Sequence, residues 1–354
     1  MKKVALLIAD ITLRAGTERA VTNLANILSG RYDVTILSLN TVAGAPAYEL
    51  SPVVKVVHLN ILKPSTVTGW FQKQLRKISL IKFINNSEYD IVVGTHSALN
   101  VILAFCHSKK LVFCEHFGYD AAKKIVRVLR RICYKYGDAI VLLTQADYEK
   151  YSFIKASQRY VIPNNSPYPV CGDFYSAESK ILLAVGRLTY QKGFDMLIDA
   201  AKIVFKRKKD WKLIIVGDGE DKGLLLSQIC ENQLEEFISI LPPTQDITKY
   251  YKIAGLYVMS SRFEGLPMVL IETQSFGIPC VSFDCCSGPS EIIDDNSTGY
   301  LVTPNDVEKL AEKLLLLMDN KEKRKVFSQN ALEKAKAFSL EAIAVKWFEL
   351  LEKI

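Results

Sequence analysis

Ile181-Leu182-Leu183-Ala184-Val185-Gly186-Arg187-Leu188-Thr189-Tyr190-Gln191-Lys192-Gly193 reads as a buried strand that runs into a glycine-bounded loop. A helical pattern follows over about 195–206, and a second apolar strand over 212–216. Short continuous apolar runs mark strands covered on both faces, and the helix after each strand supplies the cover. The alternation continues downstream with a helix over 222–232 and strands over 238–241 and 256–259. A helix over 267–276 and a strand over 279–283 follow. Upstream it predicts strands over 3–9, 34–39, 53–59, 89–94, 110–115 and 139–143, with a helix over about 17–28. The pattern is that of parallel α/β sheets.

Between these two series lies Ile162-Pro163-Asn164-Asn165-Ser166-Pro167-Tyr168-Pro169. Three prolines so close together continue neither a helix nor a central strand, so the first domain is expected to close at 165. At 354 residues the chain is long enough for two domains. A second domain over 166–338 and a final helix over 339–354, with Ser339 as a candidate N-cap, complete the division. The economical architecture is two doubly wound domains facing a cleft, with ligands beyond the strand C-termini.

Composition narrows the class. Hydrophobic residues make up 49% and charged residues 23%, the balance of an ordinary globular protein. The apolar run after Lys3 stops at Asp10, shorter than a secretory core segment. No run approaches the roughly 20 apolar residues of a membrane span. The expected location is the cytoplasm. Eight cysteines fall in no metal-ligand spacing and read as reduced thiols, so neither metal nor cofactor is expected. Residues 1–163 hold 22 Lys and Arg against 11 Asp and Glu, an excess of +11, whereas the remainder is net −4. A basic half points to an anionic partner.

Arg187 and Lys192 stand five residues apart on a glycine-bounded loop at the C-terminal edge of a parallel sheet, a placement that suits a diphosphate. Glu264-Gly265-Leu266-Pro267-Met268-Val269-Leu270-Ile271-Glu272 adds more. Pro267 suits a first helical position, and nothing before it caps the helix, so free N–H groups can meet an anion. Gly265 admits close backbone approach. Glu264 and Glu272 can accept sugar and ribose hydroxyls. Gly217-Asp218-Gly219-Glu220-Asp221-Lys222-Gly223 is off-spacing for a nicotinamide dinucleotide and reads as part of the same donor pocket. In the first half, Gly16 lies after the first strand, where its backbone could reach the same phosphates. His116 ends a predicted strand, placed to bond a sugar hydroxyl or shuttle a proton. His96 is similarly placed, with a structural role as the equal alternative.

Gly16-Thr17-Glu18-Arg19 after the first strand, Gly186-Arg187…Lys192-Gly193, and Glu264 with Glu272 together resemble glycosyltransferase family 4. That is a retaining family with the GT-B fold of two Rossmann-like domains. Pro163-Asn164-Asn165 resembles its interdomain segment, and Ser287-Gly288-Pro289-Ser290-Glu291-Ile292-Ile293 a stretch of its bacterial polysaccharide-assembly members. The resemblance implies an acceptor-binding first domain, a nucleotide-sugar-binding second one, and a last helix that returns to the first. It implies that Arg187 and Lys192 neutralise the donor diphosphate, Glu264 contacts the transferred sugar and Glu272 the ribose. Gly265, Leu266 and Pro267 would line the phosphate side, and His116 would sit beside the sugar. It further implies metal-independent transfer from a nucleotide-sugar, a UDP-sugar first, to a glycan or lipid-linked acceptor in lipopolysaccharide, capsule or exopolysaccharide synthesis. Family members often carry two adjacent glycines in the first loop, whereas this chain has Ala15-Gly16.

Residues 121–136 carry Ile125, Val128, Leu129, Ile132 and Tyr136 on one helical face, with Lys123, Lys124, Arg127, Arg130, Arg131 and Lys135 on the rest. Residues 70–84 repeat the theme with Trp70, Phe71, Lys73, Arg76, Lys77 and Lys82. Such segments are drawn to anionic membrane surfaces, or else are domain-surface helices with solvated cations. The basic half favours contact at the inner face of the membrane and a lipid-diphosphate-linked acceptor. Two alternatives stand beside the transferase: a nucleotide-sugar epimerase on the same fold, which needs no acceptor, and a non-catalytic binder of anionic ligands. No nucleic-acid motif is present.

Overall fold

The computed structural model describes residues 1–40, 43–61, 70–107, 109–285 and 288–354, with the backbone alone for 70–73 and 121. The side chains of Trp70, Phe71 and Lys73, and all of Cys286 and Ser287, lie outside that description. The chain divides into two compact units, Met1–Asn165 with Leu340–Ile354, and Ser166–Ser339.

Unit 1 runs β1 (Lys3–Ile8), α1 (Gly16–Leu28), β2 (Asp33–Ser38), β3 (Lys55–His58), α2 (Trp70–Asn86), β4 (Ile91–Gly94), α3 (Ser97–Leu103) and β5 (Lys110–Glu115). It continues with α4 (Lys124–Cys133), β6 (Ala139–Leu142), α5 (Gln145–Lys150) and β7 (Arg159–Val161). The strands form one parallel sheet in the order β3-β2-β1-β4-β5-β6-β7. Side chains alternate across a strand. Val4, Leu6 and Ile8 therefore share one face with Val34, Ile36 and Val93 beneath α1, while Ala5 and Leu7 face α2 and α3 on the other. The C-terminal helix Leu340–Lys353 lays Ile343, Trp347, Leu350 and Leu351 on the α1 face. Burying each such side chain stabilises by about 1.5–3 kcal/mol.

Unit 2 repeats the plan with β8 (Ile181–Val185), α6 (Phe194–Phe205), β9 (Lys212–Val216), α7 (Lys222–Glu231), β10 (Ile238–Leu241), α8 (Thr248–Tyr251) and β11 (Leu256–Met259). Then come α9 (Met268–Ser275), β12 (Cys280–Phe283), α10 (Pro289–Ile292), β13 (Gly299–Val302), α11 (Val307–Asp319) and α12 (Lys321–Ala335); Leu340–Lys353 is α13. Its parallel sheet is ordered β10-β9-β8-β11-β12-β13. Leu182, Ala184, Leu213, Ile215 and Val258 form its larger core with Leu197 and Val204 of α6 and Leu310 and Leu314 of α11. The doubly wound expectation holds in both units.

The edge strands β7 and β13 and the helices α3, α5, α8, α10, α11 and α12 had no counterpart in the sequence reading. Strand β7 is three half-buried residues with an arginine among them, too short and too mixed to show a period. Helix α12 spreads its few apolar residues among charges and buries Arg324 and Ser328 beside Phe327 and Ala331, so no clean amphipathic stripe marks it.

Candidate active site

In each sheet the chain builds outward from its first strand and then crosses to that strand's other side. The switch point lies between β1 and β4 in unit 1 and between β8 and β11 in unit 2. Loops leaving such a neighbouring pair diverge, which leaves room for a ligand beyond the strand C-termini. The loop after β8 carries Arg187 and Lys192, and the loop after β11 carries Glu264, so the strongest candidates converge on the switch point of unit 2.

Glycines draw these loops together. A Cβ on Gly217 would stand 1.9 Å from the Gly186 carbonyl oxygen, and one on Gly219 would stand 2.3 Å from that of Leu188. Gly217 thus has a packing reason to be glycine. Gly193 adopts φ +62°, and a Cβ there would meet the Ser260 carbonyl at 2.2 Å. Across that contact the Ser260 hydroxyl donates to the Lys192 carbonyl (3.1 Å), and the Arg262 N–H to the Gln191 carbonyl (2.8 Å). The Arg262 guanidinium grips both Asp195 oxygens, at 2.9 and 2.6 Å, and lies 4.1 Å from the Tyr190 ring centroid. Neither Ser260 nor Arg262 was marked by the sequence reading; their only signal is proximity to Glu264.

So held, Lys192 Nζ lies 2.6 Å from Glu264 Oε1, and the Ser261 hydroxyl donates to the same oxygen at 2.7 Å. Both bonds fall on Oε1, and both side chains are mostly buried. Neither of these bonds falls on Glu264 Oε2. Arg187 is exposed. Pro267 differs from expectation: it is the N-cap residue of α9, in an extended conformation (φ −72°, ψ 106°), and the helix starts at Met268. The helix start does lack a side-chain cap. Leu266 and Pro267 are buried, Gly265 partly so. Glu272, one turn into α9, is buried and accepts the Tyr251 hydroxyl at 2.6 Å.

In unit 1, Gly16 opens α1, again without a side-chain cap, and nothing lies within 4 Å of where its Cβ would be. His116 follows β5 and lines a cavity of about 20 Å³ with Ala20, Leu24, Pro163, Asn165 and Trp347, room for about one water molecule. Its Nδ1 is buried without a partner among the described residues. Burial pushes the imidazolium down to about 4, and nearby His96 adds repulsion. The unfolded chain takes up this proton near pH 6.5 and the folded chain only near 4. Stability should therefore fall as pH drops from 6.5 to 4 and level off below. Urea midpoints across that range should show a shallower acid limb in His116→Phe than in wild type. His96 resolves to a structural role, because its Nδ1 accepts the Ala98 and Leu99 N–H groups (3.2 and 3.5 Å) and caps α3.

Unit 1 also holds a buried polar network that sequence gave no sign of. Arg130, only 1% exposed, pairs with Glu115 at 2.6 Å. Glu115 further accepts from Ser97 (2.9 Å), Asn100 (3.1 Å) and the Tyr134 hydroxyl. Burial works to lower the Arg130 guanidinium, but Glu115 with Tyr151 and Tyr134 outweighs it and holds the group above its usual range. Arg130 was expected on the solvated cationic face of its helix; the structure turns it inward.

Among the described residues no group of three or more His, Cys, Asp or Glu is gathered to hold a metal ion, and no helix is long and apolar enough to cross a membrane. Residues 175–334 match the family model of glycosyl transferases group 1. The chain is 36% identical to the amylovoran biosynthesis glycosyltransferase AmsD of Erwinia amylovora, over 99% of this chain and 100% of that protein. It is 28% identical to a Campylobacter jejuni α-1,4-N-acetyl-D-galactosaminyltransferase, named for an undecaprenol-diphosphate-linked glycan, over 100% of this chain and 99% of that one. Its fold is similar to the UDP complex of Anabaena Alr3699/HepE, with TM-score 0.80, 18% identity and coverage of 100% of both chains. With two doubly wound sheets of the GT-B type and a relative this similar along its whole length, the chain belongs to the glycosyltransferases.

Proposed function

We propose that the enzyme takes a nucleotide-sugar, a UDP-sugar first, and transfers the sugar with retention to a lipid-diphosphate-linked glycan in cell-surface polysaccharide assembly. The observation that carries this reading is the Lys192–Glu264 pair at the switch point of unit 2, beside the uncapped start of α9. A lysine with three donors can keep Glu264 and still hold a diphosphate oxygen. Arg187 adds a second cation, and the free N–H groups of α9 a third source of positive potential. Glu264 Oε2 takes a hydroxyl of the transferred sugar and Glu272 serves the ribose.

The bond from the sugar's anomeric carbon to the diphosphate oxygen breaks, and the acceptor oxygen bonds that carbon on the same face. The acceptor proton passes to the departing diphosphate. Fixed cations and N–H groups around the charge that develops there supply the main catalytic term. The scheme needs no metal. Relatives named for amylovoran biosynthesis and for an undecaprenol-diphosphate-linked glycan support the acceptor class. The excess of +11 over residues 1–163 supports cytoplasmic work against an anionic membrane face.

A panel of nucleotide-sugars tests the donor. One of them, a UDP-sugar, should raise the melting temperature in a concentration-dependent way, be slowly hydrolysed, and yield a glycoside only with acceptor. A panel with no stabilisation and no hydrolysis sinks the reading; an altered sugar released without acceptor makes the protein an epimerase.

A further inference from the structure

Glu272 is only 2% exposed on α9, and a carboxylate so buried needs donors to keep its charge. Tyr251, the last residue of α8 and itself 1% exposed, donates its hydroxyl to Glu272 Oε2 at 2.6 Å. That is the usual length of a hydroxyl bond to a charged acceptor. Burial, with the charge of Glu272 behind it, pushes this phenol well above its usual range, so it stays a donor at neutral pH. The ring is walled in. Phe276, at the end of α9, lies 5.2 Å from it between centroids, and Tyr168 meets it edge-on at 6.2 Å. Tyr168 also meets Phe276 edge-on at 5.5 Å, and the Cys171 N–H donates to the Ser275 carbonyl at 2.9 Å. Tyr251 and the helix that carries Glu272 thus lean on one short segment, residues 168–171, just past the prolines of the domain boundary.

We infer that Tyr251 is a positioning residue of the donor site, holding the Glu272 carboxylate in the orientation that meets the ribose hydroxyls of the nucleotide. Several torsions separate a glutamate carboxylate from its backbone, and ordering them on binding costs affinity. A hydroxyl delivered from a ring that cannot shift makes that ordering part of the fold. Ser261 stands to Glu264 as Tyr251 stands to Glu272: in each case a hydroxyl donates to one carboxylate oxygen. Packing alone would be met by a phenylalanine, so the hydroxyl is the part that acts through Glu272. This rests on the proposed function in taking Glu272 to serve the ribose.

The test is calorimetric titration of the whole protein with UDP and with 2′,3′-dideoxy-UDP, which lacks the ribose hydroxyls. It compares wild type, Tyr251→Phe, Glu272→Ala and the double variant. The readout is the ratio of the two dissociation constants within each variant, so a general loss of folded protein affects both nucleotides alike and cancels. Tyr251→Phe keeps the ring and its packing, and circular dichroism verifies the fold. Wild type should prefer UDP by about ten-fold or more, the worth of a hydrogen bond to a charged group. Tyr251→Phe should cut that preference by about three-fold or more, as coupled members of one network do, and should cut it no further when Glu272 is already alanine. A wild-type preference retained in Tyr251→Phe gives the hydroxyl a structural role only and overturns this inference, with Glu272 still on the ribose. An equal further cut in the Glu272→Ala background overturns it as well, because Tyr251 then acts by another route. A wild type that binds both nucleotides equally overturns the placement of Glu272 and this inference with it, and one that binds neither overturns the UDP donor too.

Discussion

Lys192→Ala is expected to lower kcat/KM for sugar transfer by about 10²–10³-fold, the usual cost of deleting one fixed donor from the charge that develops in a transition state. The loss should fall mainly on kcat, because the lysine matters most as the diphosphate departs. Its stem lies flat along Gly186, where a Cβ would meet Lys192 Cδ and Cε at 3.2 Å. The ammonium is thus delivered to one place rather than sampling several. Glu264→Ala should cost a similar factor, through lost sugar positioning and through release of Lys192 from its partner. Neither variant should unfold the protein. The pair is neither fully exposed nor sealed in the core, so its loss lies between the small effect of surface pairs and the large one of buried pairs. Steady-state kinetics on the purified variants, with circular dichroism as the control for folding, decide the matter. Near-native turnover in either overturns the site.

The second large effect is on stability. Glu115→Ala should lower stability by about 3–5 kcal/mol, because it strands a buried guanidinium without its counter-charge. Arg130→Met should cost a comparable amount for the converse reason. The double variant should recover much of the loss, since a buried ion pair replaced by apolar groups is often neutral. Urea midpoints of the two single variants and the double variant form the cycle that reads this coupling. Strict additivity would show that the two side chains act independently despite their 2.6 Å contact. Disruption here should also loosen α4, which carries Arg130.

Much of the candidate site is local in origin and so is legible in the sequence. Gly186, Arg187, Lys192, Glu264 and Glu272 lie on loops or a helix that follow apolar strands, and strand-then-loop order places them at a sheet's C-terminal edge without any knowledge of packing. The uncapped start of α9 is local in the same way. Illegible were Ser261, which shares Glu264 Oε1, and Asp195, which fixes Arg262. Their roles depend on which loops touch. The sequence leaves His96 open between ligand contact and structure, and only the folded chain shows its imidazole spent on the first N–H groups of α3.

The sequence by itself determined the strand–helix alternation, the proline break before the second series and the convergence of cations and carboxylates on one strand edge. Those follow from hydrophobic period, proline's fixed φ and the direction of a parallel sheet. Tertiary structure alone decided the roll of α4. Its sequence gives an aliphatic face and a cationic face but not which of them meets the sheet. Beneath it lie Glu115, Asn100 and Ser97, and a buried carboxylate without a counter-charge costs more than exposing three aliphatic side chains. Arg130 therefore goes in, and the apolar stripe is left facing out.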